Sequence, residues 1–162
     1  MDKVLIIDFE ASGLHGDSYP TEIAWIDPVR DEKTTSFLIK PTTNWLSTKW
    51  CTKAEEMTGI SQKMLREEGK PPILVAKAAL EALSKADVIL SDAPDWDTEW
   101  MKVLFHAAGI NISIVPFSEF HNFIRREFDK DVHFEDEAAH RAGKDVEQMA
   151  AAFNLASYSF KR

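Results

Sequence analysis

Asp8, Glu10, Asp97, His140 and Asp145 are the residues of this chain whose types and contexts could do chemistry together. Asp8 and Glu10 close the apolar run Val4-Leu5-Ile6-Ile7-Asp8-Phe9-Glu10, which reads as a buried strand with its acids at the carboxyl end. Residues two apart in a strand point the same way, so both carboxylates share one face. Like charges that close repel each other, and a divalent cation is the usual remedy. Four carboxylates and one imidazole, gathered by a fold, are the set with which a protein can hold two divalent ions and hydrolyse a phosphodiester. Two such ions, about 3.5–4 Å apart, supply an activated water, charge neutralisation in the transition state and stabilisation of the leaving oxygen. Oxygen donors suit Mg²⁺ or Mn²⁺, and a donor set without thiolates points away from zinc.

Patterning predicts the elements that must position these residues. Residues 4–10 form the first strand and 11–18 a loop rich in turn residues. Strands over 21–27 and 34–40 follow, joined by a hairpin across 28–33. Short helices are expected over 53–57 and 61–67, the second opened by Ser61 as N-cap, and a long helix over 73–85 behind Pro71 and Pro72. Residues 88–90 are a short buried strand leading into Ser91-Asp92-Ala93-Pro94-Asp95-Trp96-Asp97. A helix over 97–108, with Asp97 suited to its N-cap, ends at Gly109. A fifth strand over 112–115 and helices over 118–128 and 140–156 complete the chain. The class is α/β, a mixed five-stranded sheet flanked by helices. Sites in open α/β sheets gather at the carboxyl ends of central strands, where Asp8, Glu10 and Asp97 fall.

Composition narrows the partners. The 162 residues, 44% of them hydrophobic, suffice for one domain with a real core, so 1–162 reads as a single domain. A net charge of -8 argues against a broad double-stranded DNA-binding face, whose affinity would come from Lys and Arg on phosphates. It leaves room for an enzyme that holds a short polynucleotide stretch in a narrow cleft. Cys51 is the single cysteine, so neither an intrachain disulfide nor a thiolate cluster is expected. No run is apolar enough for a signal peptide or a membrane span, and a soluble cytoplasmic protein is the expectation.

Three motifs in order resemble the DEDDh (DnaQ-like) 3'-5' exonucleases, the group holding the proofreading epsilon subunit, ribonuclease T and oligoribonuclease. They stand as Asp8-Phe9-Glu10-Ala11-Ser12-Gly13-Leu14, Trp96-Asp97-Thr98-Glu99-Trp100-Met101 and His140-Arg141-Ala142-Gly143-Lys144-Asp145. Thr21-Glu22-Ile23-Ala24 and Met57-Thr58-Gly59-Ile60-Ser61 match weaker family patterns. The resemblance spans nearly the whole chain and implies a ribonuclease-H-like fold of the exonuclease type. It implies that Asp8 bridges two Mg²⁺ or Mn²⁺ ions, that Glu10 and Asp145 complete the nucleophile-side ion, and that Asp97 holds the other. His140 would take the proton from the attacking water. Ala11, Ser12, Gly13 and Leu14, with Trp96, would receive the 3'-terminal nucleotide of single-stranded DNA or RNA, and 5'-mononucleotides would be released. The family often carries Asn four residues before the second-motif Asp. Ala93 stands there, and Asp92 replaces that Asn if the loop has one extra residue, with Asp95 the lesser candidate.

Bland roles compete with these. Acids ending a strand can be solvated, Asp145 can be an exposed helix residue, and His140 can be a surface histidine beside Glu135, Asp136 and Glu137. His15, His106, His121 and His133 lack a motif, and Trp25, Trp45 and Trp50 read as packing residues. Arg125, Arg126, Lys130, Arg141 and Lys144 are candidates for phosphate contacts or for a solvated surface. The rival functions are a non-catalytic nucleic-acid or protein-binding module, a ribonuclease-H-like endonuclease and a phosphatase acting on small nucleotides. The preference between DNA and RNA and the oligomeric state stay open, a homodimer among the options.

Overall fold

Val4 and Ile6 point to one side of the first strand and Leu5, Ile7 and Phe9 to the other, and both sides are buried. That double burial requires a central strand. The computed structural model, which describes residues 3–134 and 140–160, places β1 (Val4–Ala11) in the middle of a five-stranded sheet. Its neighbours are β2 (Pro20–Ile26), antiparallel, and β4 (Val88–Ser91), parallel. β3 (Thr35–Leu38) pairs antiparallel with β2, and β5 (Ser118–Glu119) pairs parallel with β4, giving the order β3-β2-β1-β4-β5. The mixed sheet thus has the expected class.

Helices cover both faces. α1 (Thr43–Leu46), α2 (Thr52–Thr58), α3 (Gln62–Glu68) and α4 (Pro72–Ser84) lie between β3 and β4, and α5 (Pro94–Ala107) follows β4. α4 and α5 send Val75, Ala76, Ala79, Met101 and Leu104 against Leu5, Ile7 and Ile23. On the other face, α6 (Phe120–Phe128) and α7 (Ala142–Phe160) pack against Val4, Ile6 and Ala24. The buried residues Ala142, Val146, Met149, Ala150, Phe153 and Ala156 of α7 recur at three- and four-residue steps, the stripe of a helix lying on a sheet.

Several boundaries differ from the pattern-based expectation. Residues 112–115 are not a strand; the chain reaches the β4 edge only at Ser118, paired with Leu90. Pro116 lacks an N–H and restricts Val115 before it, and Val115 stays exposed. The short α1, capped by Thr42, was not expected from the pattern. α5 begins three residues before Asp97, because Pro94 suits a first helical position. Asp97 is therefore not an N-cap: its N–H donates to the Ala93 carbonyl, 3.0 Å away. Likewise α7 starts after His140, at Ala142, whose N–H is taken by the Glu22 carboxylate at 3.1 Å. Glu135, Asp136 and Glu137 lie outside the described residues.

Phe153 is the keystone of the α7 face. It has no exposed surface and stacks on Phe123 at 6.3 Å while meeting Phe128 edge-on at 5.4 Å. Phe153→Ala should cost about 3–5 kcal/mol, lost transfer energy plus a cavity. In a urea titration the midpoint should fall with the slope unchanged.

Candidate active site

β1 alternation carries the Val4, Ile6 face on to Asp8 and Glu10, so the strand that fills the core also aims two carboxylates past its carboxyl end. Asp97 arrives from the first turn of α5 and Asp145 from the first turn of α7. The carboxylates form two groups that share one member. One oxygen from each of Asp8, Glu10 and Asp145 lies within 4.8 Å of the others, and Asp8, Asp92 and Asp97 meet the same limit. Asp92, which sequence reasoning left open, thus joins the cluster, whereas Asp95 belongs to neither group. Its position directly after β4 is the signal for it.

Little positive charge offsets this crowding. Burial pushes Asp8 well above the ordinary carboxylate range, with Asp97, Asp92, Glu10 and Asp145 adding to it in that order. Glu10 is pushed up to about 8, by burial first and then by Asp145, Glu22 and Asp97, while Arg141 pulls the other way. Asp97 is pushed up to about 8 by burial, against the lowering effect of the Ser91 hydroxyl. That hydroxyl donates to Asp97 Oδ2 at 2.5 Å and accepts the Ala93 N–H at 2.9 Å, which orients Asp97. Asp92 is exposed as a residue, but its carboxyl turns toward Asp8 and Asp97, where loss of water raises its pKa.

A cleft of about 650 Å³ opens over the cluster, lined at its floor by Asp8, Glu10 and Asp97 and at its rim by His140. His140 is half-buried, and its backbone N–H donates to the Met57 carbonyl at 3.0 Å, joining it to α2. One wall is the segment after β1, reached through a register shift between Glu10 and Ala11. Ala11, Gly13 and Leu14 face the cleft, Leu14 with 73% of its surface exposed. Gly13 lies close to its neighbours: a Cβ there would sit 2.8 Å from the His15 ring and 3.1 Å from Cys51 Cβ, so a larger residue would need the His15 side chain to move. Ser12 is fully buried, and its hydroxyl accepts the Tyr19 N–H at 3.0 Å, so it closes the loop and does not line the cleft. Trp96 also lines the cleft, stacked on buried Trp100 with ring centres 5.3 Å apart.

The five motif residues therefore converge, while the basic candidates do not. Arg125 pairs with Asp131, Arg126 with Glu127 and Arg141 with Glu22, and none lines the cleft. Lys53 on α2 lines it instead, and no sequence pattern marked that residue. Trp25 packs on Phe37, Trp45 stacks on Tyr19 and Trp50 donates to Glu55, so these three tryptophans are packing residues as expected.

An exonuclease family model, the one named for RNase T, matches residues 5–153. The chain belongs to this exonuclease family. Its fold is that of solved exonucleases. The zinc-bound complex of E. coli exonuclease I with single-stranded DNA superposes at a TM-score of 0.71 and 18% identity, covering 100% of this chain and 42% of that one. E. coli exonuclease I with a dT13 oligonucleotide gives 0.69 and 18%, covering 96% and 41%. Exonuclease I from Methylocaldum szegediense gives 0.71 and 14%, covering 97% and 41%. At these identities the likeness establishes the ribonuclease-H-like fold, and the chain spans less than half the length of those proteins. No curated protein sequence matches the chain. For this exonuclease-family chain, the acidic cluster is consistent with an active site.

The raised carboxylate pKa values fix a sign for stability. Between the unfolded values near 4 and the folded values of about 8, the folded metal-free protein binds protons that the unfolded chain releases. The stabilising contribution is complete below the unfolded pKa and is lost as pH rises toward 8. In EDTA, the urea midpoint should fall between pH 5 and pH 8, and Asp97→Asn should flatten that decline.

Proposed function

We propose that this chain is a DEDDh 3'-5' exonuclease, one domain over residues 1–162, which removes 5'-mononucleotides from single-stranded DNA or RNA with a free 3' end. The observation that carries this reading is the sharing of Asp8 between two three-carboxylate groups, with His140 at the rim of the same cleft. A carboxylate common to two groups is what a bridging ligand requires.

The residues suit the metals this reading needs. Asp8 Oδ2 is buried with no hydrogen-bond partner among the described residues, a costly state for a carboxylate unless a cation completes it. All donors are oxygens, the ligand type of Mg²⁺ and Mn²⁺. Asp8, Glu10 and Asp145 would hold one ion, and Asp8, Asp97 and Asp92 the other. When bound, the two ions would supply an activated water and charge neutralisation at the phosphate.

The side chains do the rest. His140 would accept the proton of the attacking water, as an imidazole can near neutral pH. Ser91 keeps Asp97 aimed inward through its hydroxyl. Leu14 and Trp96 offer exposed apolar surface in the cleft, on which a terminal base would stack, and the Ala11 to Gly13 segment would lie along its sugar and phosphate. Lys53, at the cleft wall, would meet a phosphate of the same strand. The solved relatives in complex with single-stranded oligonucleotides support that substrate class, and the cytoplasm is the proposed setting.

The test is a time course on matched 5'-labelled single-stranded DNA and RNA after EDTA treatment, with Mg²⁺ or Mn²⁺ restored. A ladder shortening from the 3' end and 5'-mononucleotide products are expected, with no cleavage in EDTA. His140→Ala should lower the rate about 10²–10⁴-fold while Mn²⁺ binding, measured by calorimetry, stays close to native. Internal cuts would point to an endonuclease, and binding without cleavage in every arm would point to a non-catalytic module.

A further inference from the structure

We propose that the ion pair between buried Glu22 and half-buried Arg141 is a positioning device that sets where His140 and Asp145 stand relative to Asp8 and Glu10. This rests on the roles given above to His140 and Asp145. Glu22 is the cross-strand partner of Glu10 in the β1–β2 ladder and keeps only 4% of its surface exposed. Arg141 grips it side-on with one edge of the guanidinium: Nε donates to Oε2 at 3.0 Å and Nη2 to Oε1 at 2.8 Å. Glu22 Oε2 also accepts the Ala142 N–H at 3.1 Å, so one carboxylate fixes both the arginine and the start of α7.

Arg141 stands at the junction that matters. Its backbone adjoins His140, and its carbonyl accepts the Asp145 N–H at 3.0 Å in the first turn of α7. A shift of Arg141 therefore moves the imidazole and the Asp145 carboxylate together. The brace also joins segments 119 residues apart, next to the strand position that carries Glu10. A planar two-bond fork fixes orientation as well as distance, which a single lysine bond does not. With Glu22 buried and Arg141 partly in solvent, the pair combines desolvation of one partner with screening of the other and adds little net stability, so rigid placement is the better account of it.

Replacing one partner alone would strand a buried charge and could unfold the protein, so the main variant is Glu22→Gln/Arg141→Met, which removes both charges at similar volume. It should melt close to the native protein. Mn²⁺ affinity by calorimetry and kcat should each fall about 10–100-fold, the usual cost of losing an outer partner of a metal site, with KM little changed. Adding His140→Ala to it should cost less in rate than His140→Ala costs the native protein, because part of the pair's effect runs through His140 and the rest through Asp145. Arg141→Lys keeps the charge and loses the fork, and should fall between native and double variant. A well-folded double variant, or Arg141→Lys alone, with native Mn²⁺ affinity and kcat would overturn the proposal, as would full additivity with His140→Ala. If the native protein binds Mn²⁺ but cleaves nothing, the exonuclease reading fails while the calorimetric comparison still decides the role of the brace.

Discussion

Repulsion among carboxylates at the end of β1 is the constraint around which the rest is arranged. Asp8, Glu10, Asp92, Asp97 and Asp145 come within a few ångströms of one another in two groups, and the two at the centre, Asp8 and Asp97, are buried. The guanidinium that acts on Glu10, that of Arg141, has its hydrogen bonds committed to Glu22. Ser91 contributes one hydrogen bond to Asp97, which softens the crowding without neutralising it. What remains must be met by protons or by cations from solution, and the raised carboxylate pKa values are the protonic answer. A protein can sustain such a site only if the surrounding structure over-determines it. Here β1 is clamped on both faces by apolar packing and on both edges by neighbouring strands, which holds Asp8 and Glu10 in place against the repulsion.

The parts of this arrangement that could be read from sequence are those with a short-range cause. A strand apolar on both faces, ending in two acids, is legible because burial and alternation act within a few residues. Ser61 was readable as an N-cap because its hydroxyl bonds locally, to the Met64 N–H. Boundaries set by tertiary contact were not. β5 is two residues long and is placed by the reach of the chain to the β4 edge, so its apolar approach over 112–115 misled the pattern. The start of α7 depends on Glu22, more than a hundred residues away, and no local feature announces it.

The site shows the same division. Asp8, Glu10, Asp97, His140 and Asp145 lie in three separate stretches, and composition alone would not have joined them; motif order did. Asp92 was ambiguous because a one-residue difference in loop length decides which side chain faces Asp8, and only geometry resolves that. Lys53 lies in a helix tied to distant segments by the Cys51 N–H to the Ser12 carbonyl and the His140 N–H to the Met57 carbonyl, so its place on the cleft wall was invisible in the chain. Ser12 was legible as a residue of the loop, but its hydroxyl is consumed inside it.

The placement of His140 and Asp145 at the start of α7 has a consequence for the order in which competence arises. Asp8, Glu10, Asp92 and Asp97 all lie within the residues up to the end of α5. The imidazole and the last carboxylate arrive only when α7 lies down across β1 and β2, with Phe153 closing against Phe123 and Phe128. Contacts over such sequence separation form late, since loop-closure entropy must be met before they reward it. Until α7 docks, the acidic cluster lacks Asp145 and the cleft lacks His140 beside it. α7 is the element that completes the cluster.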